Sequence, residues 1–311
     1  MLKSFTLTAV NPPATLSRPS QPARPLGELV DSFTPRAWAA TALLALLLIA
    51  LYARIGVKLV SDWYTFPDDS HGFLIPFFVA FLIWDNRQRF RQTPIRSQWT
   101  GLPLILIALF ILLLGVLGAD LFLSRTSFVL LAAGLIWTLL GTPTLSRSRF
   151  ILFVMLLAIP FPTLIMNHIT FPLQIRASET ASFLLPLAGV PVLREGNVIQ
   201  LPAMQLEVAE ACSGIRSLMS LFTVAIIFGY FMEPSVPRRV LLALMAIPIA
   251  VAANAMRIFG TGLCVQYWDP VKAMGFFHEF SGWLIFVVSL CCLYLVHQLM
   301  NRWPRKGSST A

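Results

Sequence analysis

Residues 100–118 read TGLPLILIALFILLLGVLG, nineteen residues without a charged side chain. As a helix rising 1.5 Å per residue, such a run is about 28 Å long, close to the thickness of the hydrocarbon layer of a bilayer. It has no polar face, as a helix on the surface of a soluble domain would. Working outward, comparable apolar blocks recur over 37–54, 71–84, 122–141, 150–166, 212–231, 240–260 and 282–300. Of the 311 residues, 57% are hydrophobic and 12% charged, and 24 Phe outnumber the 23 Lys and Arg together. A soluble domain carries about 25% charged residues. A disordered chain and a soluble globular domain are both excluded. The fold expected is an all-α polytopic membrane protein with about eight transmembrane helices.

The blocks divide the chain. Residues 1–35 are rich in Pro, Ser and Thr without helical periodicity, and read as a disordered tail. Residues 36–303 form the transmembrane domain, and 304–311 a short basic tail. No apolar run follows Lys3, so the first span is expected to act as an uncleaved anchor. The stretch 168–188 sets Arg176 and Glu179 among Leu and Phe, and reads as an interfacial helix.

The net charge of +9 does not point to nucleic acid, because the basic residues lie in short loops between apolar blocks. There they set orientation. With eight spans and a cytoplasmic N-terminus, the inner segments hold fifteen basic residues: Lys3, Arg18, Arg24, Arg36, Arg87, Arg89, Arg91, Arg96, Arg147, Arg149, Arg238, Arg239, Arg302, Arg305 and Lys306. The outer segments hold six: Arg54, Lys58, Arg125, Arg176, Arg194 and Lys272. A ninth span at 168–188 would move Arg238 and Arg239 outside, so eight is preferred, with both termini in the cytoplasm.

One long outer loop, 167–211, remains. Two β-prone runs, Val192-Leu193-Arg194 and Val198-Ile199-Gln200, flank Glu195-Gly196-Asn197 and read as a small hairpin, with Gln205-Leu206-Glu207-Val208 as an extension. The hairpin leads directly into Cys212, at the start of span six.

Polar groups at membrane depth are costly and mark function by default. The charge count puts several at the outer level: Cys212 at the start of span six, Arg257 at the end of span seven with Asn254 one turn deeper, His278 before span eight, and His71 before span two. A thiol attacks as its thiolate, which a helix N-terminus and a nearby cation both favour. Backbone N–H groups at that terminus suit a tetrahedral oxyanion. Histidine serves as acid or base near neutral pH, and arginine stays charged and holds an oxygen. Together these are the parts for acyl transfer through a thioester.

Each residue also has a plainer reading. Cys212 fits packing, Arg257 snorkelling to the interface, and His278 an interfacial aromatic belt. His71 follows Asp68-Asp69-Ser70, which resembles a helix cap. Arg216, one turn from Cys212, is placed to pair with Glu207 or Glu210. Cys212 and Cys264 are both near block ends, where a bridge is possible; Cys291 and Cys292 read as packing. His278-Glu279 opens a zincin-like pattern, but Gly282 stands where the second His belongs. No nucleotide loop or serine-hydrolase elbow occurs, and no metal or organic cofactor is implied.

Glu210-Ala211-Cys212-Ser213-Gly214-Ile215-Arg216-Ser217 is similar to the signature of the exosortase/archaeosortase family. Asn254-Ala255-Met256-Arg257-Ile258 and His278 before the last span fit the same pattern. Ser70-His71-Gly72-Phe73-Leu74-Ile75-Pro76 and Glu195-Gly196-Asn197 resemble weaker motifs of the family. The resemblance covers roughly residues 60–300.

It implies a polytopic enzyme of the bacterial inner membrane that processes exported proteins. Their C-terminal sorting signal has three parts: a Pro-Glu-Pro motif, a membrane helix and a basic end. By the same resemblance Cys212, Arg257 and His278 are catalytic, and the protein is a cysteine peptidase or transpeptidase with membrane lipid around it and no nucleic-acid partner. Arg216, Asn254, His71 and Glu210 are expected to support the site or bind substrate. Two other classes fit the sequence: a transporter, which would use the outer polar cluster as a path, and a non-catalytic assembly factor for envelope polysaccharide or protein export. Neither needs Cys212.

Overall fold

The computed structural model describes residues 25–32, 34–208, 214–268 and 276–302, with the backbone alone at 29, 214, 215 and 276–279. The chain is mostly helical. Residues 1–24 of the expected N-terminal tail and all of the C-terminal tail lie outside the described residues. The end of the first tail is a short helix α1 (Leu26–Asp31). It is tied down by Leu26 N–H donating to the Thr93 carbonyl at 2.9 Å and by Arg91 on Asp31 at 3.2 Å.

Helix α2 (Pro35–Thr65) starts where Thr34 accepts a hydrogen bond from Ala37 N–H and Pro35 fills the first turn, where a missing N–H costs nothing. It runs eleven residues past the apolar block that defines its span. Along the extension Asp62 is paired, with Lys58 at 3.0 Å and with Arg125 from a neighbouring helix. A 3-10 turn (Pro67–Phe73) then reverses the chain into α3 (Leu74–Asp85) and α4 (Arg87–Arg91).

Helices α5 (Leu102–Leu117) and α6 (Leu121–Leu140) form a tight antiparallel pair. Asp120 caps α6 through Leu123 N–H at 2.9 Å. Gly141 ends it at φ 88°, and a side chain there would strike the Arg96 carbonyl. Helix α7 (Thr142–Leu156) follows. The block 150–166 is not one helix: α7 ends at Leu156, and the chain passes Pro160 and Pro162 before it restarts as α8 (Thr163–Leu187). Proline offers no N–H to continue the ladder. The expected interfacial helix 168–188 is therefore the larger part of one 25-residue helix that starts before it.

Three short strands follow, β1 (Leu193–Glu195), β2 (Val198–Gln200) and β3 (Gln205–Glu207), paired antiparallel in that order. Gly196, at φ 64°, turns the first pair. The last three helices are α9 (Gly214–Met232), α10 (Val236–Tyr267) and α11 (Phe276–Arg302), all packed on one another.

Against eight expected spans, five helical segments among the described residues are long and apolar enough to cross a membrane: Pro35–Thr65, Trp99–Leu117, Leu121–Leu140, Val236–Tyr267 and Phe280–Arg302. A shorter apolar segment, Arg216–Met232, joins them. Helices α3 and α7 have 12 and 15 residues. This is a multi-pass membrane protein.

Two buried clusters organise the second half. One packs the sheet against α8 and α10, with Ala181, Leu185, Ile199, Leu206, Val208 and Ile258 at its centre. Gly262 lets Leu185 approach α10 closely. The other joins α9, α10 and α11 through Leu221, Leu242, Ala246 and Leu293. The sheet thus sits at the end of the bundle where α9 begins and α10 ends.

Candidate functional site

Five residues, 209–213, connect β3 and its continuation Val208 to the start of α9. Glu210 and Cys212 fall among them and lie outside the described residues. Their flanks are fixed. Val208 is fully buried, and its N–H donates to the Asn197 carbonyl at 3.0 Å. On the other side, α9 starts at Gly214, packed against the 3-10 turn that carries His71.

That turn is held from three directions. Gly72 lies flat on the Trp63 indole, where any side chain would clash, and Trp63 Nε1–H donates to the Ala158 carbonyl at 2.8 Å. His71 is buried. Its Nδ1 is 3.2 Å from the Asp68 carbonyl oxygen and its Nε2 is 3.2 Å from the Leu157 carbonyl oxygen. The cap-like reading of Asp68-Asp69-Ser70 is not what forms: neither the turn nor α3 has a side-chain cap hydrogen bond. Instead Asp68 reaches across to α9, where Arg216 Nε stands 3.6 Å from its Oδ1. Burial raises the Asp69 carboxyl above the usual carboxylate range; the His71 and Arg125 charges oppose this, and Asp68 and Asp62 add to it.

The pairing of Arg216 corrects one expectation. Among the described residues its ion-pair partner is Asp68, not Glu207, which is exposed on β3. Glu210, the other expected partner, lies outside the described residues; among those described, the fold brings Arg216 an aspartate from a distant segment.

Arg257 meets α11 at a glycine one turn from position 278. The Arg257 head lies against Gly282: a Cβ there would be 3.0 Å from Nη2 and 3.3 Å from Cζ. Gly282 is four residues after position 278 on α11, so the two share one face of that helix. The Arg257 guanidinium therefore rests on α11 one turn from where His278 is carried. In the sequence Gly282 registered only as a missing zinc ligand. The signal that would have found it is a residue without a side chain one helical turn from a histidine, opposite an arginine.

Asn254, one turn from Arg257 on α10, is buried and lines a cavity of about 20 Å³ shared with Thr170, Gln174 and Leu218. That is room for about one water molecule. Cys264, on the same helix, is a free thiol, as are Cys291 and Cys292.

Two residue pairs thus converge at the end of the bundle where α9 begins. His71 and Arg216 are joined through Asp68, and Arg257 is placed beside the helix turn of His278. A helix start, an arginine and a helix position that carries a histidine share one end of three packed helices. Neither a curated protein nor a solved structure matches the chain. The family model described as transmembrane exosortase does, over residues 63–295, a range that includes every site position discussed above. The chain belongs to the transmembrane exosortase family.

Proposed function

We propose that this protein cleaves C-terminal sorting signals of exported proteins through a thioester on Cys212. Family membership supports a role in sorting-signal processing. The observation that carries the finer reading is the seat of Arg257 on Gly282, one turn from His278, with α10 and α11 packed on the helix that follows Cys212.

The Cys212 thiolate attacks the carbonyl carbon of the scissile peptide bond. Arg257 and the backbone N–H groups that open α9 hold the oxyanion as negative charge moves onto oxygen. The C–N bond breaks, and the His278 imidazolium gives its proton to the departing amine. The exported segment remains as an acyl thioester, and the signal helix leaves with the new amino terminus. An incoming amine or water then attacks the thioester, His278 takes up the proton, and the thiolate returns. His71, Arg216, Asn254 and Glu210 frame the cleft or contact the substrate. In the proposed arrangement eight spans of the domain 36–303 lie in the bacterial inner membrane. The tails 1–35 and 304–311 are cytoplasmic, and the site with its small sheet faces outward.

The test is co-expression of an exported protein that carries the three-part signal and an outward-facing tag. Loss of a serine nucleophile costs on the order of a millionfold in rate, so Cys212→Ala at matched membrane abundance should show no mass shift where the natural protein does. Equal processing by the variant would remove Cys212 as nucleophile.

A further inference from the structure

The three helices that carry the candidate site also meet at their opposite ends, where a ring of polar side chains ties them. Glu233, the residue after α9, is 1% exposed. Its Oε1 accepts a hydrogen bond from His297 Nδ1 of α11 at 2.7 Å. Arg238 of α10 donates through Nη1 to Asn301 Oδ1 at 3.5 Å. That contact turns the Asn301 amide so that its Nδ2 donates to His297 Nε2 at 3.1 Å. With Nε2 accepting, the ring proton lies on Nδ1, facing Glu233. Arg238 Nη1 closes the ring as an ion pair 4.0 Å from Glu233 Oε2. Arg239 donates to the Glu233 backbone carbonyl at 2.8 Å and covers the Tyr230 ring. Phe228 packs edge-on against His297 at 5.2 Å.

The spacing along each helix is the same. Nineteen residues separate Gly214 from Glu233, Arg238 from Arg257, and His278 from His297. At 1.5 Å per residue, the ring lies about 28 Å from the site along all three helices.

We propose that Glu233, His297, Asn301 and Arg238 are positioning residues that set the register of α9, α10 and α11, and so the alignment of Cys212, Arg257 and His278. This inference rests on the function proposed above. The apolar contacts between these helices, Leu221, Leu242, Ala246 and Leu293 among them, are non-directional and tolerate a small slide or rotation. The ring does not. Any register that separates Glu233 from His297 leaves a carboxylate buried without its hydrogen bond, and fixing register is the best-attested use of buried polar pairs. Helices are stiff enough to carry that constraint to their far ends, where a displacement of about 1 Å can cost about 100-fold in rate.

The test uses the full-length protein in detergent or membranes, with two independent readings. In the first, His297→Leu should lower the maximal processing rate about 100-fold and leave the substrate level for half-maximal rate nearly unchanged. Asn301→Ala, at an exposed position that does not threaten folding, should lower it several-fold in the same way. In the second, spin labels are placed at Gly260→Cys, which faces open space, and at Leu284→Cys, which is exposed, with the four native cysteines replaced by serine. The distance between the labels should broaden or shift when His297→Leu is added, and less so with Asn301→Ala.

An unchanged distance distribution in both variants overturns the clamp, whatever the chemistry proves to be. So does an unchanged maximal rate in His297→Leu at matched abundance, or a change confined to the half-maximal substrate level. If Cys212→Ala still processes substrate, the proposed mechanism falls, while the label distances still decide whether the ring sets the register.

Discussion

Asp62 and Asp68 lie six residues apart, and each faces an arginine on another helix, yet the two pairs differ in kind. Asp62 and Arg125 join α2 to α6 with side chains 8% and 4% exposed. Asp68 and Arg216 join the 3-10 turn to α9 with side chains 38% and 51% exposed, 3.6 Å apart. Burial decides what each pair can do. The first has little water to fall back on, and although Asp62 also meets the half-exposed Lys58, Asp62 is the ion-pair partner of Arg125 among the described residues. The second keeps much of its hydration, so its Coulomb gain is small and easily screened. The first is therefore expected to act on folding, and the second on how the turn that bears His71 meets the start of α9.

The largest effect should come from Asp62→Ala. It strands Arg125 in the bundle interior, and breaking a buried pair in this way costs about 3–5 kcal/mol. Membrane abundance and the melting temperature in detergent should both fall sharply. Replacing both partners with apolar residues, Asp62→Leu with Arg125→Leu, should recover most of that loss. A double variant as unstable as the single one would mean that the pair does more than neutralise itself, and the contrast with Asp68 would lose its basis.

Gly72→Ala should come next. The added methyl meets the Trp63 indole, and overpacking of this kind costs about 1–3 kcal/mol. The turn must move, which pulls Asp68 and His71 away from α9 and leaves the Asp62–Arg125 pair in place. Processing should fall by more than the loss of folded protein explains. If processing simply tracks abundance, the turn is structural and its place beside the site is incidental.

Much of this was legible in the sequence, and the exceptions share a cause. Runs such as 100–118 and 122–141 became α5 and α6 nearly to the residue, because an uncharged run of that length has few alternatives. The positions of Arg257 and His278 on successive helices followed from the same blocks. What failed was pairing across the chain. Lys58 and Asp62 lie beyond the apolar block 37–54, and Arg125, sixty-three residues on from Asp62, pairs with it inside the longer helix. Glu207 lies nine residues from Arg216 in the chain, yet the partner of Arg216 among the described residues comes from the 3-10 turn. His297 sits in an apolar helix, and its partner Glu233, sixty-four residues earlier in the chain, is buried against it. Hydropathy records how each residue fares alone, and a paired charge does not fare alone. The break between α7 and α8 is a different matter: Pro160 and Pro162 were visible, and the apolar run masked them.

The smallest effect on stability should be that of Asp68→Asn. It removes a charge from a half-exposed pair, where measured contributions are about 0–1 kcal/mol, so the melting temperature should hardly move. Asparagine also retains a side-chain oxygen that can accept from Arg216. What it removes is the attraction that draws the turn toward α9. Raised salt should mimic the substitution in the natural protein and add nothing in the variant. The expected result is a processing rate a few-fold lower at low ionic strength, converging with the natural protein as salt rises, with stability unchanged throughout. A melting shift as large as that of Asp62→Ala would show that exposure is a poor guide to the role of these pairs. A processing rate indifferent to both charge and salt would leave Arg216 a surface residue beside the site rather than part of it.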